Sequence, residues 1–467
     1  MSDLFVSPLD ELAGFNELAD HIAKGKTPVH VSGCVNTQRV HLMYELGKPY
    51  KWKLIVAGND LATKEIYEDL LQFDERTYFY PAKDLIFYQA DLQGSLQLGE
   101  RINVLKCLYE DEGGTIITTM DGLMNVLPGF DSIKKHVRLV TLASVIDQES
   151  FRSEMVFMGY TFSEAVERPG EFSIRGDIID VYPFTEENPV RIELWGDEVD
   201  SIRSFDAESQ RSIVNMEEIY IFPAQEMVLT EPEKRRGLAR IKKSYEEQYA
   251  LFKSKEMYDE ALNLKQTVGS FIDEMEGGII PGNIYSFLGY FCDENVSLLD
   301  YIPDDALIFA VEPGQMKEKG DAVYYEFTDS AKRRLEKGYN LPGQTGLIYD
   351  PKFIMDSIAG RKTVAITGLD VKIPYLNVQE HFNINAQSVG AYKENVQLLI
   401  KDLEKWHRGK YRVVILYASR TRAKRIADYL QDYDVDDFYT EKADEPCLLY
   451  TSPSPRDKRQ SRMPSSA

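Results

Sequence analysis

Short apolar runs alternate with amphipathic stretches through the first quarter of the chain. The runs at residues 29–32, 54–57, 78–80 and 115–119 are too short for helices, and the stretches between them, at 35–46, 63–71 and 96–108, repeat apolar residues at helical spacing. Apolar strands that alternate with helices predict a parallel sheet with crossover helices on its faces. Between residues 137 and 222 the rhythm changes. Longer strand-like segments at 171–183, 189–195 and 198–205 are separated by Glu-Asn-Pro and Gly-Asp turn signals, which predicts a small antiparallel α+β domain inserted here. A charged helical stretch at 231–266 follows, and the α/β rhythm then returns at 284–289, 306–311 and 363–368, a return that would complete the interrupted core. Farther on, Val396, Leu399, Ile400, Leu403 and Trp406 make the apolar face of a helix, followed by a strand at 411–417 and a helix at 420–430.

The expected architecture is multidomain α/β. A P-loop-like parallel-sheet core in two parts (residues 1–135 and 216–370) carries an inserted α+β domain (136–215), and a further small α/β domain (371–447) precedes a tail (448–467). A chain of 467 residues fits about three or four such units. The tail, TSPSPRDKRQSRMPSSA, is polar and basic at the end of an acidic protein, so it cannot bury a core. It resembles translated sequencing-adaptor read-through, and the reading frame is expected to be truncated there.

Charge narrows the function. Lys and Arg number 54 against 76 Asp and Glu, a net charge of −22, which repels a polyphosphate backbone and disfavours unaided DNA binding. The 4 cysteines, Cys34, Cys107, Cys292 and Cys447, lie far apart and fit reduced, buried thiols in a cytosol. No apolar stretch approaches a membrane span and the N-terminus is acidic, so a cytoplasmic location without membrane contact is expected.

Enzyme chemistry has little to stand on. A phosphate-binding loop needs GxxxxGK[ST] between a strand and a helix, so that backbone N–H groups cradle the phosphates and a lysine neutralises them. At that place the chain reads VSGCVNTQRVHL. Gly33 keeps the turn, but the second glycine and the lysine are absent and Gln38 and Arg39 stand nearest. Arg39 or Lys26 substituting for the lysine is the functional alternative; a helix start kept only as scaffold explains the missing groups better. The 6 histidines show no metal-ligand spacing, no GxSxG appears, and Asp304-Asp305 reads as capping and turn chemistry. No catalytic residue, metal or cofactor is therefore assigned to this chain.

One surface does suggest recognition. Side chains alternate along a strand, so inward Ile192 and Leu194 place Arg191 and Trp195 outside, and inward Phe172 and Ile174 place Ser173 and Arg175 outside. Arginine and tryptophan are enriched among interface hot spots. The plainer alternative pairs Arg191 with Glu193 or a nearby acid in solvent and leaves Trp195 capping a hairpin. A basic run on the last helix, Arg420, Arg422, Lys424 and Arg425, reads as a solvated face.

The segment GEFSIRGDIIDVYPFTEENPVRIELWGDEVDSIRSFDAESQRSI, residues 170–213, resembles the signature shared by UvrB and the coupling factors of the Mfd family. FYPAKDLIFYQ and LLDYIPDDALIFAVEP support it. LIKDLEKWHRGKYRVVILYASRTRAKRIADYL resembles a third domain that Mfd has and UvrB lacks there, while QADLQGSLQLG leaves no room for UvrB's DNA-clamping aromatic hairpin. The resemblance implies the N-terminal, UvrB-like part of a transcription-repair coupling factor, which recruits UvrA to lesions marked by stalled RNA polymerase. It implies that Arg175, Arg191 and the aromatic position Trp195, where phenylalanine is common, bind UvrA. It places ATP, Mg, RNA polymerase and double-stranded DNA on C-terminal domains outside this chain, one of which masks the recruiting surface in the family, so this chain would bind UvrA constitutively. The alternatives are a UvrB-like ATP-dependent helicase subunit, which needs the missing loop and hairpin, and a metabolic α/β enzyme binding a nucleotide through Gly33.

Overall fold

The structure is a computed structural model that describes residue 9, residues 12–83 and 93–384, and most of 386–433. In chain order its strands begin with β1 (Val29–Ser32), β2 (Trp52–Ala57), β3 (Thr77–Tyr80), β4 (Gly114–Thr119) and the short β5 (Leu127–Pro128). An excursion follows, comprising β6 (Arg138–Thr141), β7 (Thr161–Phe162), β8 (Glu171–Arg175), β9 (Ile178–Val181), β10 (Val190–Trp195), β11 (Glu198–Phe205), β12 (Ser212–Met216) and β13 (Glu218–Ile221). The chain then supplies β14 (Asn295–Val296), β15 (Leu307–Val311), β16 (Thr363–Ile366) and β17 (Glu380–Asn383).

Seven strands form one parallel sheet in the order β17-β1-β16-β15-β2-β4-β3. The returning segment thus completes the first core, with β15 and β16 at its centre. Every residue of β1, β4, β15 and β16 is buried because helices cover both faces. Alternation splits each strand between two cores: Val29, Val31, Ile55, Ile117 and Phe309 face one, which includes Leu18 and Ile66, while Leu54, Ile116, Ile308 and Ala365 face the other, which includes Phe327 and Ile354. Each such aliphatic side chain contributes about 1.5–3 kcal/mol when fully buried. Local caps start the covering helices: Asn59 accepts from Ala62 N at 2.8 Å before helix Asp60–Leu71, and a Thr230/Glu233 capping box opens helix Glu231–Ser254.

The excursion is a domain with its own core, reaching from Val140 to Ala224. Its six-stranded sheet runs β12-β11-β10-β9-β8-β7, antiparallel except for β7 with β8, and helix Gln148–Phe157 buries Phe151 and Met155 in the same core. At its base β6 pairs antiparallel with β13, so the insertion closes on itself past residue 215. Just beyond, Glu226 is fastened to the host by Arg101 Nε at 2.7 Å and Lys83 Nζ at 3.1 Å.

Three expectations meet a different structure. Residues 284–289 are helical turns (Ile284–Phe287 and Leu288–Phe291), because Phe287 and Phe291 bury themselves among helices, with Phe287 stacked on Phe271 at 3.9 Å. The core sheet does not end by residue 370: β17 pairs with β1 from Val29↔Glu380 to Ser32↔Asn383, and as a polar edge strand it lacked the apolar run of its neighbours. Ser173 is buried, as described below. Of the last unit, helices Val396–Arg408 and Arg420–Gln431 share a small core of Leu399, Ile400, Leu403 and Leu430. Of the hairpin position QADLQGSLQLG, residues 93–99 open the helix Gln93–Glu110, while its first four residues, most of the expected strand at 411–417, Cys447 and the tail at 448–467 lie outside the described residues. Among those residues no helix is long and apolar enough to cross a membrane.

Candidate functional site

The expected recognition residues lie on the outer surface of the inserted sheet. Cross-strand register sets Ser173 opposite Asp180, Asp180 opposite Arg191, and Arg191 opposite Arg203. Arg175, Glu193 and Trp195 belong to the same face by alternation. Gly176 directly follows β8 and Gly196 directly follows β10, and their φ values of 60° and 66° make the tight hairpin turns that a side chain would strain.

Asp180 organises this face. It is 1% exposed and accepts from Arg175 Nη2 at 2.7 Å, from Arg191 Nε at 2.7 Å and from Arg191 Nη2 at 2.9 Å. A carboxylate in so apolar a strand must be paired, and the bidentate guanidinium supplies the geometry that suits it. The Asp180 hydrogen bonds hold the Arg191 guanidinium above its ordinary pKa. The same guanidinium reaches Gln210 Oε1 at 2.9 Å and lies 4.3 Å over the ring of Phe205, which is fully buried. Glu193 is engaged by Arg203 and by Ser201 Oγ at 2.9 Å.

The three predicted residues therefore share one face but differ in what they offer. Trp195 is 83% exposed, the Arg175 side chain 47% and the Arg191 side chain 13%. Arg191 does pair with a nearby acid, but that acid is the buried Asp180 rather than Glu193, and the pair is largely shielded from solvent. Ser173 faces the same side but is buried, its Oγ donating to Glu164 O at 3.2 Å. Sequence reasoning missed Asp180, Phe205 and Gln210. Asp180 carried a signal: an acid inside the apolar run Ile178–Val181, with arginines on both neighbouring strands, is a carboxylate that needs them.

At the degenerate loop, Gly33 has φ 79° between β1 and helix Asn36–Gly47. The continuation of β17 lies against it: Ile384 N donates to Ser32 O at 2.8 Å, and a Cβ on Gly33 would stand 2.0 Å from Ile384 O. Val35 caps the helix without a side-chain hydrogen bond, and Arg39 is buried with its Nε unpartnered among the described residues. Cys34 is buried, which pushes its thiol up to about 12 and keeps it protonated. Cys107 and Cys292 are likewise free thiols.

An arginine-bearing antiparallel sheet set into a parallel α/β core defines a class. Residues 140–227 match the family model of the UvrB interaction domain. Along most of its length the chain is a relative of the N-terminal portion of the transcription-repair-coupling factors. It is 27% identical to that of Bacillus subtilis over 398 residues, covering 85% of this chain and 33% of the relative. It is 28% identical to that of Staphylococcus haemolyticus over 393 residues (83% and 33%) and to that of Staphylococcus epidermidis over 439 residues (93% and 37%). The chain thus spans about a third of the length of the curated relatives it matches.

Proposed function

We propose that this chain recruits UvrA during transcription-coupled nucleotide-excision repair, through Arg175 and Trp195 presented on the face that Asp180 and Arg191 hold in place. The observation that carries this reading is the exposed Trp195 beside a carboxylate-clamped arginine pair within a UvrB interaction domain. An indole buries a large area at low entropy cost and a half-exposed guanidinium keeps free N–H donors for an acidic partner. RNA polymerase, double-stranded DNA and ATP-driven translocation belong, on this reading, to regions of the longer relatives that this chain does not span. The α/β core acts as a platform without ATPase activity: it lacks the loop lysine, and the Ile384 carbonyl presents partial negative charge beside Gly33. The reading also assigns Arg191 a positioning role.

Pull-down with purified UvrA tests it. Arg175→Ala and Trp195→Ala should each weaken capture by about 10-fold or more, as hot-spot truncations do. Undiminished capture by the double variant would sink the assignment.

A further inference from the structure

Two of the six histidines, which show no metal-ligand spacing along the chain, are brought together by the fold. His30 and His381 sit in register on neighbouring parallel strands, β1 and β17, so both imidazoles leave the sheet on one face. Their ring centroids are 4.6 Å apart with planes 17° from parallel. Asp370, in the loop leaving β16, brings Oδ1 to 3.6 Å from His381 Nε2. One donor atom from each of the three residues lies within 4.8 Å of the others.

Hydrogen bonds around the cluster hold it. Thr367 Oγ1 donates to Leu369 O at 2.6 Å, so it accepts from His30 Nε2 at 2.7 Å, which makes Nε2 the protonated nitrogen and leaves Nδ1 its lone pair. Ser32 Oγ lies 2.8 Å from His381 Nε2. His30 is thus oriented as metal-binding histidines are, one ring nitrogen tied to a neighbouring oxygen while the other is free to bind. His30 is buried, whereas Asp370 and the outer part of His381 face solvent, so an ion has an entry path and a place for a bound water.

We propose that His30, His381 and Asp370 form a site for a divalent transition-metal ion of the zinc type, which would pin the edge strand β17 to β1 and to the loop after β16. Two imidazoles, one carboxylate and a water are a ligand set that suits zinc in tetrahedral geometry. His381 must exchange the Ser32 contact of its Nε2 for the ion, while His30 stays held by Thr367. Binding is therefore weaker than at a fully preformed site. An ion here also stiffens the segment that crosses Gly33, since Ile384 directly follows β17.

Zinc titrated calorimetrically into the full chain, after dialysis against a chelator, tests the site. One equivalent is expected to bind, to raise the melting temperature and to slow amide exchange over residues 380–384. His381→Ala and Asp370→Asn, both at exposed positions, should each weaken that event by about 10-fold or more while melting like the parent without metal, and Thr367→Val should weaken it by about 10-fold. Failure to bind one equivalent, or binding equally tight in His381→Ala, overturns the proposal, the latter by placing the ion elsewhere on an acidic surface.

Discussion

Asp180 and Trp195 lie on the same small sheet and perform opposite tasks. Asp180 is buried and satisfies two arginines; Trp195 touches little of its own chain. Removing one partner of a buried ion pair leaves the other uncompensated, so Asp180→Ala should lower unfolding stability by about 3 kcal/mol in urea denaturation and weaken UvrA capture indirectly. Trp195→Ala should change stability by no more than about 0.5 kcal/mol yet reduce UvrA affinity by about 30-fold, equivalent to about 2 kcal/mol, in a direct binding titration. Arg191→Ala should do both, because it uncovers Phe205 and frees Asp180, whereas Arg175→Ala should affect capture alone. Equal losses of stability from Arg175→Ala and Arg191→Ala would contradict this division.

At the scale of elements, two glycines separate backbone strain from crowding. Gly176 has φ 60° with open space around it, so Gly176→Ala meets only the left-handed backbone penalty of about 1–2 kcal/mol. Gly33 has φ 79° and also faces the Ile384 carbonyl, so Gly33→Ala must displace the chain after β17 and should cost clearly more, read as a larger drop in the denaturation midpoint. The same elements show what the sequence disclosed. Strands β1, β2, β4, β15 and β16 announced themselves because burial on both faces demands unbroken apolar residues. Their order did not, since apolar strands look alike until a register such as Val29↔Val364 is seen. β17 stayed hidden because an edge strand can be polar. That Arg175, Arg191 and Trp195 share one face was legible from alternation along β8 and β10, but the clamp was not, because Asp180 meets its arginines only across strands. The histidine cluster was invisible for the same reason: residues 30 and 381 become neighbours only in the sheet.

For the whole molecule, the joint between insertion and host governs acid stability. Glu226 is buried; burial would raise its carboxyl pKa, but Arg101 and Lys83 outweigh this and bring it down to about 2 from an ordinary 4.5. A depressed carboxylate contributes stability that is complete above its unfolded value and is lost as pH falls toward the folded one. The urea midpoint should therefore fall between pH 4.5 and 2. Glu226→Gln should be less stable at neutral pH, with Arg101 left buried beside a neutral amide, and should show a flatter acid limb. A variant that keeps the parental slope would move the acid sensitivity elsewhere.

The placement of β15 and β16 between strands made much earlier has a consequence for how the protein emerges from the ribosome. β1 has both of its partners, β16 and β17, at the far end of the sheet's sequence, so it leaves the exit tunnel with nothing to pair against. The inserted domain, whose pairings all fall between β6 and β13, can complete itself while its host is still unfinished. Arrested nascent chains long enough for Ala224 to have cleared the exit tunnel, but ending before β15, should already protect the 140–224 core from protease while β1 remains cleavable.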